Sequence, residues 1–173
     1  LTINGWQPIK TLNVKDRIAT PRIQPVFGEQ DIEEHKVKLL AYLIAEGHLG
    51  NGFMLFTNAD EKINNDFEKS LTLFDNNLVT KYHGKFSIRI SDPSRKRDVS
   101  QTIRDGKGKF TKGAVFDKKN SLRKYLENCD LYPSNSKTKH IPQIICKLPK
   151  NKLSLFLNRL FSCDGSLYLK KTN

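Results

Sequence analysis

The sequence predicts an α+β fold, and three observations carry that reading. Two long stretches place apolar residues at helical spacing and end alike, at Glu46-Gly47 and Asp164-Gly165. Between them, Lys85, Ser87 and Arg89 alternate with Phe86, Ile88 and Ile90, the period of a half-buried strand. After residue 30 the patterns run helix, strand, helix, strand, strand, helix, and then the first type of helix returns.

Residues 1–25 stand apart. Leu1-Thr2-Ile3, the turn Asn4-Gly5, and Arg17-Ile18-Ala19-Thr20 read as short strands ending at Pro21 and Pro25. They are too few for a core and are expected to be the edge of a β domain. A helix is predicted from Asp31 as N-cap, with Glu33 and Glu34 at the positive end of its dipole. Its stripe is Val37, Leu40, Ala41, Ile44 and Ala45, and Gly47 supplies the stop.

A strand over 52–57 and a second amphipathic helix over 59–74, with Ile63, Phe67, Leu71 and Phe74 on one face, come next. Strands over 78–83 and 85–90 flank a turn at His83-Gly84. Residues 92–113, rich in glycine and charge without periodicity, read as a mobile loop that orders on a partner. A helix over 119–128, a break at Tyr132-Pro133, and a helix opened by Pro149 and running to Cys163 complete the pattern. The stripe of the last is Leu153, Phe156, Leu157, Leu160 and Phe161.

Apolar runs such as Leu39 to Ala45 fall far short of the roughly 20 residues a bilayer span needs, so no membrane partner is expected. With no basic segment followed by an apolar run at its start, the sequence as given is expected to carry no secretory signal. Three widely spaced cysteines, Cys129, Cys146 and Cys163, fit neither a disulfide framework nor a zinc site. Buried free thiols and a cytoplasmic protein are expected.

The net charge is +12, and it is unevenly placed. Residues 81–124 carry 14 basic against 4 acidic side chains, whereas residues 1–80 carry 8 against 11. Arg95, Lys96, Arg97, Arg104, Lys107, Lys109 and Lys112 are what a polyanion would find, because each neutralised phosphate releases counterions. A solvated charged loop is the alternative.

Glu46 and Asp164 each close an apolar helix just before a glycine, after the small residues Ala45 and Cys163. A helix C-terminus carries partial negative charge and disfavours a carboxylate there by roughly 0.3–1 kcal/mol. If the two helices pack side by side, like-charge repulsion adds to that cost. A divalent cation removes both, and hard oxygen donors favour magnesium. Either dipeptide alone is an ordinary helix stop; the matched pair points to a metal-assisted phosphodiester chemistry.

The two nonapeptides, 39–47 and 157–165, resemble the paired motifs of the LAGLIDADG homing endonucleases. The resemblance covers 31–173. Lys137-Thr138-Lys139-His140-Ile141-Pro142 is similar to the Lys-x-Ile-Pro block that precedes the second motif in intein-borne members. Residues 1–22, with Asn4-Gly5-Trp6, Val14-Lys15-Asp16 and Ile18-Ala19-Thr20-Pro21-Arg22, resemble the end of an intein's N-terminal splicing block, most of all in inteins of bacterial replicative DNA helicases.

The resemblance implies a short all-β edge of a Hint splicing domain at 1–25. It implies a first αββαββα half at 31–149 with the basic loop 92–113, and a truncated second half at 150–173. A complete protein would be a monomeric pseudo-dimer whose saddle holds a long duplex DNA site. Glu46 and Asp164 inherit the binding of two or more Mg²⁺ ions, and Lys139 a catalytic role, against the alternative of a surface lysine. Ala41, Ala45, Gly47, Cys163 and Gly165 fall on the helix interface, and Lys85, Ser87 and Arg89 on the DNA-facing strand.

Three departures stand out. Glu46 replaces the commoner aspartate, and Arg159 occupies the position of Ala41, so that it either turns out of the interface or marks a degenerating half. Only one strand, Leu167 to Leu169, of a second saddle fits before Asn173, which lacks a His-Asn context, so the chain reads as a fragment that neither splices nor cuts efficiently. The competing reading is a non-catalytic DNA-binding or degenerate insert in a splicing element.

Overall fold

Glu34–Glu46 forms α1, and its burial places it at the centre of the molecule. Val37, Leu39, Leu40, Ala41, Tyr42 and Leu43 are all buried, so the helix is covered nearly all round rather than along one stripe. The computed structural model describes residues 2–20, 27–50, 52–100, 102–108, 110–112 and 115–165, without the side chains of 97, 110–112 and 115. Leu167–Leu169, Pro21, Arg22, Pro25, Lys109 and Asn173, and the side chains of Arg97 and Lys112, lie outside the described residues.

The remaining elements follow the α+β order. They are β1 (Gly47–His48), β2 (Met54–Thr57), α2 (Glu61–Phe74), β3 (Val79–Tyr82), β4 (Ser87–Ser91), β5 (Arg97–Asp98), β6 (Ile103–Arg104), β7 (Phe110–Lys112), β8 (Val115–Phe116), α3 (Ser121–Asn128), α4 (Gln143–Cys146) and α5 (Lys150–Asp164). One antiparallel sheet runs β1-β2-β4-β3. Met54, Phe56, Ile88 and Ile90 bury its inner face against the helices. Phe56 stacks on Phe67 of α2 at 4.2 Å, and Tyr42 of α1 meets both rings at 5.6 and 6.1 Å. Each such ring contributes about 1.5–3 kcal/mol by leaving water.

Several local expectations shift for physical reasons. The N-cap of α1 is Glu33, not Asp31, and no side chain caps it; Asp31 instead faces Lys152 at 3.7 Å. At α2 the cap is Asp60, whose carboxylate accepts from the Lys62 and Ile63 amides, so the helix starts two residues later than its periodicity suggests. Asn120 caps α3 through the Arg123 amide.

Gly47 does not stop α1 through a left-handed turn. Its φ is −77°, and glycine is needed because a Cβ would run into the Leu43 carbonyl oxygen. Gly165 repeats this at the end of α5, with φ −85° and the Phe161 carbonyl in the way. The two helix ends therefore match in geometry as well as in sequence.

The 92–113 segment is not structureless. β5 pairs with β8 and β6 with β7, giving an antiparallel charged ribbon. Strands of two or three residues leave no periodicity for the sequence to reveal. The α5 stripe also splits. Phe156 is buried and Leu153, Leu160 and Cys163 pack on the core, while Leu157 and Phe161 face outward, Phe161 at 61% exposure.

Residues 2–20 form only isolated bridges, Thr2 with Gly5 and Ile18, in place of the expected strands, and a 3₁₀ turn at Ile9–Thr11. Buried thiols are not found: Cys146 is exposed and Cys129 and Cys163 half-buried, all three free. Among the described residues no helix is long and apolar enough to cross a membrane.

Candidate functional site

α1 packs along α5, and their C-terminal residues, Glu46 and Asp164, act on each other electrostatically. Neither helix carries a basic residue in its last turn, so the partial negative charge of both ends is unanswered within the helices. Burial, and after it the charge of Asp164, raises the Glu46 carboxyl above its ordinary value, while Lys139 pulls it back.

Lys139 reaches the same place from far along the chain. Its ammonium donates to the Ile44 carbonyl at 3.0 Å, one of the free carbonyls of the last turn of α1. A tight turn holds it there: the Thr138 and Lys139 amides donate to the Asn135 carbonyl at 3.0 and 2.9 Å, and the Ser134 amide donates to Leu49 beside β1. Burial lowers the Lys139 ammonium from its ordinary value, against the opposing pull of Asp164 and Glu46. Cys163 lies in the same field; burial, then Glu46 and Asp164, push its thiol up to about 12.

A cleft opens beside Glu46 and Lys139, with Gly50, Thr57 and Ser134 on its walls. Among the described residues the buried Ser134 hydroxyl finds no hydrogen-bond partner. Among the described residues no three His, Cys, Asp or Glu side chains form a metal-binding group. Glu46 and Asp164 could therefore offer an ion two carboxylates and no further such ligand among the described residues, a donor set of the kind Mg²⁺ accepts while keeping several waters.

Of the residues expected at the helix interface, two are buried and one is at the surface. Ala41 and Gly47 are buried, Ala45 and Cys163 half-buried, and Gly165 exposed. Arg159 turns out of the seam to α2, where its Nε donates to Asp66 at 2.9 Å. Asp66 also accepts from the Lys38 ammonium at 2.7 Å and the Tyr42 hydroxyl at 2.6 Å. One carboxylate thereby joins α1, α2 and α5, and nothing in the sequence pattern pointed to it.

The basic residues separate into two groups. Arg89 lies exposed on the outer sheet face with its guanidinium 5.5 Å from the Phe53 ring. Ser87 shares that face but is half-buried and bonded to Thr57 at 2.9 Å. Lys85 is not in the strand; it sits in the β3–β4 turn with its ammonium over the Phe86 ring. Arg95, Lys96 and Lys107 belong to the ribbon and its root.

Register adds residues that the sequence pattern alone did not single out. Lys81 pairs with Arg89, Arg89 with Leu55, and Leu55 with His48, so His48, Leu55, Arg89 and Lys81 form one row across the outer face. The alternation Val79, Lys81, His83 carried that signal.

No family model matches the chain. It is similar to a replicative DNA helicase DnaB of Synechocystis sp. (strain PCC 6803), 29% identical over 170 residues, which is 98% of this chain and 18% of that protein. A replicative DNA helicase DnaB of Nostoc sp. (strain PCC 7120) is 27% identical over 170 residues, with the same coverage. A replication factor C small subunit of Methanocaldococcus jannaschii is 28% identical over 165 residues, 94% of this chain and 8% of that protein. The chain thus spans less than one-fifth of the length of these relatives.

Proposed function

We propose that this chain is the endonuclease-bearing part of an intein, a LAGLIDADG-type homing endonuclease that hydrolyses both strands of a long duplex site with Mg²⁺. The carrying observation is the electrostatic coupling of Glu46, Asp164 and Lys139 across two packed helices whose ends match in geometry. The order α1-β1-β2-α2-β3-β4, followed by the ribbon and α3, agrees with the αββαββα half of that family. Nearly the whole chain matches a minor part of two differently named proteins. A module inserted into different hosts accounts for that pattern, and a replicative helicase is the host we favour.

Glu46 and Asp164 would hold the metal. When bound, Mg²⁺ supplies an activated water and neutralises charge on the scissile phosphate. The two carboxylates repel each other without a cation, which is the source of affinity for one. Lys139, fixed by the Ile44 carbonyl, presents its remaining ammonium hydrogens where phosphate charge develops. The outer sheet face, through Arg89 and Lys81, would meet the duplex.

The test is cleavage by the full-length polypeptide that contains this chain, on DNA bearing the uninterrupted host site. Glu46→Gln and Asp164→Asn are each expected to lower cleavage by at least about 10²-fold while duplex binding persists. Unchanged Mg²⁺-dependent cleavage in both removes the assignment. A non-catalytic DNA-binding insert is the second reading, favoured by the Lys139 ammonium, which already answers part of the negative charge. It is the outcome if the unaltered protein binds duplex in a salt-sensitive manner and never cuts.

A further inference from the structure

A second concave surface lies away from the two carboxylates, between the β1–β2 turn, the end of β4, the root of the ribbon and the first turn of α3, with a volume of about 480 Å³. Its cations are oriented rather than loose. The Arg95 guanidinium lies over the Phe116 ring at 4.0 Å, and its Nε donates to the Lys118 carbonyl at 2.6 Å. One edge of the fork is thereby fixed and its terminal amino groups are left to the cleft. Arg123 lies over Tyr132 at 4.8 Å, and Arg89 enters from the sheet.

The acids nearby are turned to other work. Asp92 accepts from the Ser94 amide and hydroxyl at 2.9 and 2.6 Å, and Asp117 accepts from the Lys96 amide at 2.9 Å. Glu127 takes Lys119 and Arg123 as partners. Among the described residues, Arg89, Arg95 and Lys118 form no ion pair with a carboxylate. Asn120, which caps α3 by accepting from the Arg123 amide at 2.7 Å, lines the same space together with Lys119 and Arg123.

We propose that this cleft binds a backbone phosphate of the nucleic acid, at a point beyond the sheet face. The inference rests on the DNA-binding reading above and extends its footprint over the sheet edge. Arg89 makes the two surfaces continuous, since it belongs both to the outer row and to the cleft. Guanidinium forks already stacked on aromatic rings are pre-organised for a phosphate oxygen pair. The cleft is open at the surface, which suits a polymer passing through rather than an enclosed small molecule.

The experiment uses the 173-residue chain, a random-sequence duplex and inorganic phosphate as probes. Nitrogen–proton NMR follows the Arg95 Nε and the backbone amides of Lys119 and Asn120, all on the cleft wall. Salt titrations of duplex affinity are compared between the unaltered chain, Arg95→Gln/Lys118→Gln and Lys81→Gln, with circular dichroism to confirm folding. In the unaltered chain both probes should shift the three resonances. The double variant, which has no Arg95 Nε, should lose the two amide shifts and reduce the log–log salt slope by about 1.8, near 0.9 per lost phosphate contact. Lys81→Gln should reduce the slope by about 0.9 and keep the phosphate shifts.

If duplex binding is salt-dependent but its slope is the same in the double variant, the cleft is not a nucleic-acid contact and the proposal falls alone. Phosphate shifts without a change in slope overturn it too, and leave free phosphate as the ligand. If the unaltered chain shows no salt-dependent duplex binding at all, the DNA-binding reading falls and this proposal with it.

Discussion

Glu46 carries a cost that a functional site would use. Its carboxyl is raised by burial first and by Asp164 second, so the native state holds a proton there more tightly than the unfolded chain does. Its favourable contribution is present below its ordinary value of 4.5 and is lost as pH rises through the raised native value. At neutral pH the ionised side chain therefore works against folding. Glu46→Gln removes the charge and keeps the shape, so it should raise the unfolding temperature by about 1–3 °C in metal-free buffer, on a helix-end cost of roughly 0.3–1 kcal/mol. Added Mg²⁺ should stabilise the unaltered chain more than the variant. Calorimetry with and without the ion decides it, and equal or lower stability of the metal-free variant would sink the idea. The two acids were legible in the sequence because a carboxylate at a helix C-terminus contradicts the dipole. The Lys139 contact was not, because its carbonyl partner lies 95 residues away.

At the scale of elements, three helices are joined through Asp66, whose partners lie 28, 24 and 93 residues distant. Burial pushes the Asp66 carboxyl up, but hydrogen bonds from Lys38 and Tyr42 and the charges of Lys38 and Arg159 outweigh it and hold the group below its ordinary value. Its stabilisation is therefore full above the ordinary 3.8 and is lost as pH falls through the depressed native value. Asp66→Asn should cost about 1–3 kcal/mol at pH 7, because Lys38 and Arg159 lose the charge they face at 20–30% exposure. Urea unfolding at pH 7 and in strong acid checks this: the variant and the unaltered chain should differ at the first and converge at the second. A difference that persists in acid would assign the effect to packing. The helices themselves were legible from apolar periodicity at α1, α2 and α5. Their junction was not, since Arg159 read as an intruder on the α1–α5 seam until its long side chain was placed on α2. The ribbon was hidden for another reason: its strands are too short to alternate, and pairing across a glycine-rich turn is what orders them.

For the whole molecule, the charge segments and the core coincide with different parts of the chain. The buried side chains run from Val37 to Phe156, and no residue of 2–20 is buried. Ile3, Trp6, Ile9 and Val14 are each at least 85% exposed, an arrangement with no core of its own. The segment also differs in composition from the rest of the chain, which is why the sequence marked it as a separate piece. Its apolar side chains gain little by folding onto this chain, because burial free energy scales with the area removed from water. Removing residues 1–20 should therefore leave the thermal midpoint of the remainder within about 1 °C, where a loss of 1 kcal/mol would appear as roughly 2–4 °C. Trp6 gives an independent reading, since it is the single tryptophan. At 85% exposure its fluorescence should be quenched by iodide or acrylamide as strongly in the native chain as in urea, while circular dichroism reports the cooperative loss of α1, α2 and α5. A native Trp6 that resists quenching, together with a large drop in the midpoint on truncation, would mean that the segment packs on the α+β unit. The segment would then not be the separate piece that its turn-rich pattern suggests.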